Sequence, residues 1–259
     1  MGNRIFPSEW APQSGVAFTF PHADSDWGPY LDKVTPTFVE IITLVSHYEK
    51  VLVVCHDTEA VSSLLKDASE ENITLIELPS NDTWARDHSA ITVIEDGHPV
   101  LLDFVFNGWG LKFPANHDNR ITKGVQAKGI FGDLPVYTYG LAIEGGALES
   151  DGAGTLLTTS ECLLSPNRNP HLTREMTEST LKEILGVNRV LWLDHGYLAG
   201  DDTDSHIDTL ARFCSEDTIA YVSCDDEADE HFQALKAMEG QLKTFTRSDG
   251  SPYNLVAFP

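Results

Sequence analysis

Two stretches of this chain repeat one plan. An amphipathic helix over 59–69, a β-rich run over 73–78, a polar loop over 80–89 and a second run over 90–94 are matched, in order, by 173–185, 189–193, 194–206 and 207–213. A repeat on this scale constrains the fold more than composition does, because each unit is one block that needs neighbours to bury its apolar face. The first helix follows Asp57-Thr58, a capping pair, and carries Val61, Leu64, Leu65 and Ala68 at three- and four-residue spacing. The second is bounded by Thr173, placed to cap it, and Gly186, placed to stop it. Further helices are predicted over 28–48 and 228–238, and strands over 16–20, 51–55, 100–106 and 218–223. Glu95-Asp96-Gly97-His98 reads as a hairpin turn between the runs at 90–94 and 100–106. Strands alternating with helices predict an α/β protein.

Apolar residues at 41% and charged residues at 22% match an ordinary globular domain, and one domain over 1–259 is expected. The longest aliphatic run, Val51-Leu52-Val53-Val54, is far shorter than the roughly 20 residues of a membrane helix. The first residues, Met1-Gly2-Asn3-Arg4-Ile5-Phe6-Pro7, contain no apolar leader segment, so a soluble cytoplasmic protein with no membrane partner is expected. Forty acids against 17 bases leave a formal charge of −23, which repels nucleic acid and suits a small cationic substrate. Cys55, Cys162, Cys214 and Cys224 have neither zinc-ribbon spacing nor the density of a disulfide scaffold.

Polar residues capable of chemistry collect in three places. Asn81-Asp82-Thr83-Trp84-Ala85-Arg86-Asp87-His88 lies between two apolar runs, where a local Asx-turn would explain its first two residues equally well. Glu144-Gly145-Gly146 precedes Glu149 and Asp151; the paired glycines allow close backbone approach, and a hairpin turn explains them more simply. Gly200-Asp201-Asp202-Thr203-Asp204-Ser205-His206-Ile207-Asp208 is either a solvated acidic loop or a site. In an extended chain His206 and Asp208 share a face, suiting acid–base work or, with Asp202 and Asp204, metal binding. No H-E-x-x-H pair supports the metal reading. Asp87, Glu144 and His206 follow one another at intervals of about 60 residues, so a pseudo-symmetric ring of units would bring them to one pocket.

These residues carry a resemblance. Asn81-Asp82-Thr83-Trp84-Ala85-Arg86-Asp87, Phe106-Asn107-Gly108-Trp109-Gly110, Glu144-Gly145-Gly146, Glu161-Cys162-Leu163-Leu164 with Asn167-Arg168-Asn169-Pro170, and Thr203-Asp204-Ser205-His206-Ile207-Asp208 resemble, in order, motifs of the agmatine deiminase and bacterial peptidylarginine deiminase family. The start, Pro7-Ser8-Glu9-Trp10, is similar as well. The chain departs from the family pattern at Ser89-Ala90, where Gly-Pro is common, and at Leu111 and Ser205, where glycine is common.

The resemblance implies a pentein, a five-bladed α/β propeller of ββαβ units, and hydrolysis of a guanidine to a ureido group and ammonia without metal or organic cofactor. It implies that Asp87 and Asp208 grip the guanidinium, that Asp82 and Trp84 line the pocket, and that His206, oriented by Glu144, moves the protons. Carboxylates suit a planar cation that keeps its proton to high pH, and an imidazole suits proton transfer near neutrality. Agmatine is the favoured substrate over peptidyl-arginine; non-catalytic guanidinium binding is the further alternative.

The family nucleophile is a cysteine after a glycine-rich run near the C-terminus, and the sequence to Pro259 contains no such motif. None of the four cysteines follows a glycine run, and Cys162 reads as core. The chain therefore reads as a C-terminally truncated member, expected to be inactive alone. Strand edges left exposed in an incomplete ring would favour association, with a homodimer the expected assembly.

Overall fold

The computed structural model describes residues 2–259, which form two compact units. One unit comprises Pro12–Ala90 and Pro114–Asp133. Its sheet is parallel throughout, with Lys50–Cys55 between Gly15–Thr19 and Ile73–Glu77. A central parallel strand is covered on both faces, which is why it reads as a continuous apolar run rather than an alternating one. On one face Val51, Val53 and Cys55 pack with Ile42 of helix Leu31–Ser46 and Val61 of helix Thr58–Leu64. On the other, Val54 and Ile76 meet Ile121 and Val125 of helix Ile121–Ala127. Gly124 lies in that helix because a β-carbon there would stand 2.8 Å from Leu78. Asp57 caps helix Thr58–Leu64 as expected, accepting from the Ala60 amide at 2.9 Å. The helix ends earlier than predicted, because Leu65 leaves helical geometry at φ −92°, ψ 36° while its side chain turns into the core.

The other unit comprises residues 2–11, Ile91–Phe113 and Leu134–Pro259 and contains three sheets. The first runs Arg4–Ile5, Ile91–Glu95, His98–Val105, Val136–Ala142 in spatial order. The predicted hairpin is present, with Asp96 and Gly97 in the left-handed region at φ 51° and 84°. In the second sheet Thr155–Thr159 lies between Arg189–Leu193 and Glu149–Ser150; in the third Thr218–Val222 lies between Ala211–Ser215 and Asn254–Phe258.

Helix Arg174–Leu185 buries Leu181, Ile184 and Leu185 in a core shared with Leu102, Leu148 and Leu156. Its ends are those expected: the Thr173 side chain accepts from the Met176 amide, and Gly186 is left-handed at φ 74°. Helix Phe232–Leu242, four residues later than predicted, covers Leu193, Ile219 and Tyr221 with Leu235, Met238 and Leu242. The predicted strand over 207–213 is a correction: Ile207–Leu210 is one helical turn, and the strand begins at Ala211. Among the described residues no helix is long and apolar enough to cross a membrane.

Candidate active site

Glu144 leaves strand Val136–Ala142 and enters the 3-10 turn Gly145–Ala147. The two glycines serve a buried turn that Thr158 fixes, its hydroxyl donating to the Ala147 carbonyl at 2.7 Å; they are not a surface hairpin. The Glu144 side chain is wholly shielded from solvent, and His206 is 1% exposed. His206 Nε2 and Glu144 Oε2 are 3.8 Å apart.

His206 occupies the N-cap of turn Ile207–Leu210, and Asp208 lies in its first turn. The alternation argument for a shared strand face therefore does not apply. The two residues are neighbours because a one-turn helix starts between them. Its polar loop is built to place it: Asp201 accepts from the Thr203 and Ser205 amides at 2.9 and 2.7 Å, and the His206 amide donates to the Thr203 hydroxyl at 3.0 Å.

The residue that sequence reasoning passed over is Arg168. Its Nε donates to both Glu144 oxygens, at 3.0 and 2.8 Å, with neither side chain exposed. Burial by itself would push the Glu144 carboxyl up; the His206 imidazole 3.8 Å away and the Arg168 guanidinium outweigh it and hold the group below the ordinary carboxylate range. Asp204, one of the four residues considered as metal ligands, is engaged instead by two cations: Arg168 Nη1 at 2.6 Å and Lys112 Nζ. The signal that could have found Arg168 was the motif Asn167-Arg168-Asn169-Pro170, an arginine in a stretch otherwise suited to a turn.

Asp82, Trp84 and Asp87 lie in the other unit. Asp87 belongs to the one-turn helix Ala85–His88, which follows the polar loop just as Ile207–Leu210 follows the other. Asp82 and Asp87 are each 8% exposed, while Trp84 is half-exposed.

The loop is held by a reciprocal clamp rather than an Asx-turn. Asn81 Oδ1 accepts from the His117 and Asp118 amides at 2.7 and 3.2 Å, and Asp118 Oδ1 accepts from the Asn81 amide at 2.6 Å. Burial raises the Asp118 carboxyl to about 6 and also raises Asp82, against the hydrogen bond from the Thr83 amide. His88 is driven down to about 4 by burial and hydrogen-bonds the Thr19 hydroxyl at 3.2 Å.

Cys162 is core, as expected, but a core the sequence did not locate. Its Sγ falls within 4.8 Å of ligand atoms of both Glu144 and His206. That trio is the one grouping of three metal-capable side chains among the described residues, and the guanidinium on Glu144 places a cation where a metal would compete. Burial raises the Cys162 thiol in spite of the neighbouring imidazole. Cys55, also buried, is raised to about 11, while Cys214 is exposed and Cys224 half-buried.

With this geometry established, its relatives can be placed. A C. jejuni agmatine deiminase, solved as a cysteine-to-serine variant with substrate bound, superposes with a TM-score of 0.90 at 37% identity, over 99% of this chain and 74% of that one. A structural-genomics target from Porphyromonas gingivalis gives 0.93 at 51% identity, over 99% and 76%. The agmatine deiminase of Pseudomonas syringae pv. tomato is 33% identical over 265 residues, 98% of this chain and 69% of the relative. The likeness defines a mixed α/β protein of the pentein class. Residues 5–259 match the Porphyromonas-type peptidyl-arginine deiminase family, and the chain belongs to it.

Proposed function

We propose that this chain binds a guanidine of the agmatine type and carries the acid–base groups for its hydrolysis to N-carbamoylputrescine and ammonia, by way of a cysteine nucleophile that the 259-residue sequence does not itself supply. The observation that carries the reading is the buried Glu144–His206 pair, followed at once by Asp208. An imidazole beside a fixed carboxylate is suited to giving a proton to one group and taking one from another. In this scheme Asp87 and Asp208 hold the guanidinium, and Asp82 and Trp84 line its pocket. A thiolate adds to the guanidinium carbon, forming a C–S bond. The C–N bond breaks as His206 protonates the departing ammonia. Water, deprotonated by His206, then attacks the thiouronium carbon, and cleavage of the C–S bond restores the thiolate and leaves a ureido group.

None of the four cysteines of this sequence is assigned that role. Cys55 and Cys162 are sealed in cores with raised thiols, which disfavours the thiolate a nucleophile needs. Cys214 projects from strand Ala211–Ser215 and Cys224 follows strand Thr218–Val222. The family's description favours one second reading, peptidyl-arginine as substrate.

Calorimetry with agmatine and with benzoyl-arginine amide, together with an ammonia assay, decides between the two. Agmatine binding that disappears in Asp208→Asn and Asp87→Ala is expected. Preference for the arginine amide would transfer the assignment to the peptidyl substrate. A folded chain that binds neither compound refutes the proposal.

A further inference from the structure

Five hydrogen-bond donors of one guanidinium are available at Arg168, and four directions are in use. Nε spans the two oxygens of Glu144; Nη1 donates to Asp204 Oδ2 at 2.6 Å and to the Cys162 carbonyl at 3.3 Å; Nη2 donates to the Thr203 carbonyl at 2.9 Å. The Arg168 side chain is fully removed from solvent. A guanidinium is planar and rigid, so fixing one edge on a carboxylate fixes where its other edge points. Here the other edge points at the turn that carries His206.

That turn is under backbone strain. Asp204 and Ser205 both sit in the left-handed region, at φ 63° and 59°, and non-glycine residues hold such angles only when their surroundings impose them. Arg168 supplies part of that imposition through Asp204 and Thr203, and Lys112 adds a hydrogen bond to the Asp202 carbonyl at 2.8 Å. The segment Asn107–Gly110 backs the arrangement. Asn107 Nδ2 donates to the Asn167 carbonyl at 2.9 Å, and a β-carbon on Gly110 would stand 3.3 Å from Asp204 Oδ2 and 3.5 Å from Arg168 Nη1.

We propose that Arg168 is the positioning residue of the Glu144–His206 pair, its single guanidinium fixing the carboxylate on one edge and the strained turn bearing the imidazole on the other. Its catalytic consequence rests on the guanidine-hydrolase reading above, but its structural action does not. The Asn-Arg-Asn-Pro and Phe-Asn-Gly-Trp-Gly segments thereby acquire a shared task.

The test uses the 259-residue chain labelled with nitrogen-15, and needs no substrate. In Arg168→Lys a charge remains but the fork is lost, so amide exchange at Ser205 and His206 should quicken at least about tenfold while strands Thr155–Thr159 and Arg189–Leu193 keep their protection. In Arg168→Gln the His206 imidazole should hold its proton to higher pH than in the parent, since Glu144 no longer shares its charge with a second cation. Should both variants fold poorly, Asp204→Ala, at a partly exposed site, removes the side-chain link from Arg168 to the turn and should quicken the same two amides. Folded Arg168 variants with wild-type turn protection and wild-type His206 titration would overturn the proposal, as would an unaltered turn in Asp204→Ala. Failure of the wild-type chain to bind any guanidine would instead refute the functional reading, and these readouts would still judge the clamp.

Discussion

Arg168 Nε lies 3.0 and 2.8 Å from the two carboxylate oxygens of Glu144, and neither side chain reaches solvent. A buried pair of this kind is a weak source of net stability, because both charges lose their hydration. Removing one partner is a different matter, since it strands the other charge in the core.

Arg168→Met should therefore lower the unfolding free energy by about 3–5 kcal/mol. Combining it with Glu144→Gln should recover a large part of that loss, because no buried carboxylate is then left alone. Urea denaturation with unchanged m-values measures both. The pair also sets a pH dependence. Glu144 titrates below its ordinary value of 4.5 in the folded chain, so its contribution is complete above that pH and disappears as the pH falls through the depressed native value. The double variant should lose this part of the acid limb.

Asp118 should show the opposite sign. Its carboxyl is raised from 3.8 to about 6 by burial, so the folded chain holds that proton more tightly than the unfolded one. The stabilisation is complete below 3.8 and is lost as the pH rises through about 6. Asp118→Asn keeps a carbonyl to receive the Asn81 amide and removes the charge. Its stability relative to the parent should rise by about 3 kcal/mol between pH 4 and pH 8. Equal stability differences at the two pH values would contradict the assignment.

Much of the frame was legible from local signals, and the site less so. Asp57, Thr173 and Gly186 mark helix ends through hydrogen bonds and backbone angles that involve only near neighbours, and all three act as read. Strand Lys50–Cys55 was legible because burial on both faces leaves an unbroken apolar run. The turn at Ile207–Leu210 was misread because Ile207, Leu210 and Ala211 fit a short strand and a helical turn equally well; Asp201 and Thr203, earlier in the chain, decide it through their caps. Strands Val136–Ala142 and Asn254–Phe258 gave no clear alternation, their faces being set by sheet neighbours distant in sequence. Arg168 could not be paired with Glu144 by inspection, since nothing local links residues 24 positions apart.

The thiols give a direct check on burial. Cys214 and Cys224 should react promptly with an aromatic disulfide reagent in the native protein, whereas Cys55 and Cys162 should react only after denaturant is added. Absorbance at two thiol equivalents before unfolding and four after is the expected reading. A third fast thiol, lost in Cys162→Ser, would show that the core around Cys162 opens to solvent.

Leu111 provides the last test, because sequence comparison and backbone geometry meet there. It stands where glycine is common in the family, it adopts φ 68°, and its side chain is 72% exposed. A left-handed conformation costs an L-residue roughly 1–2 kcal/mol, and little packing offsets that cost at so open a position. Glycine removes the strain but adds freedom to the unfolded chain, which takes back about 0.5–1 kcal/mol. Leu111→Gly should therefore stabilise the protein by about 0.5–1 kcal/mol, read as a higher urea midpoint at constant m. Leu111→Ala keeps the β-carbon and should show no such gain. At Ser205, also left-handed where glycine is common, the benefit should be smaller. Its hydroxyl donates to Glu161 Oε2 at 3.2 Å, and glycine would forfeit that bond. If Leu111→Ala proves as stable as Leu111→Gly, the left-handed backbone at this turn is not the source of the difference.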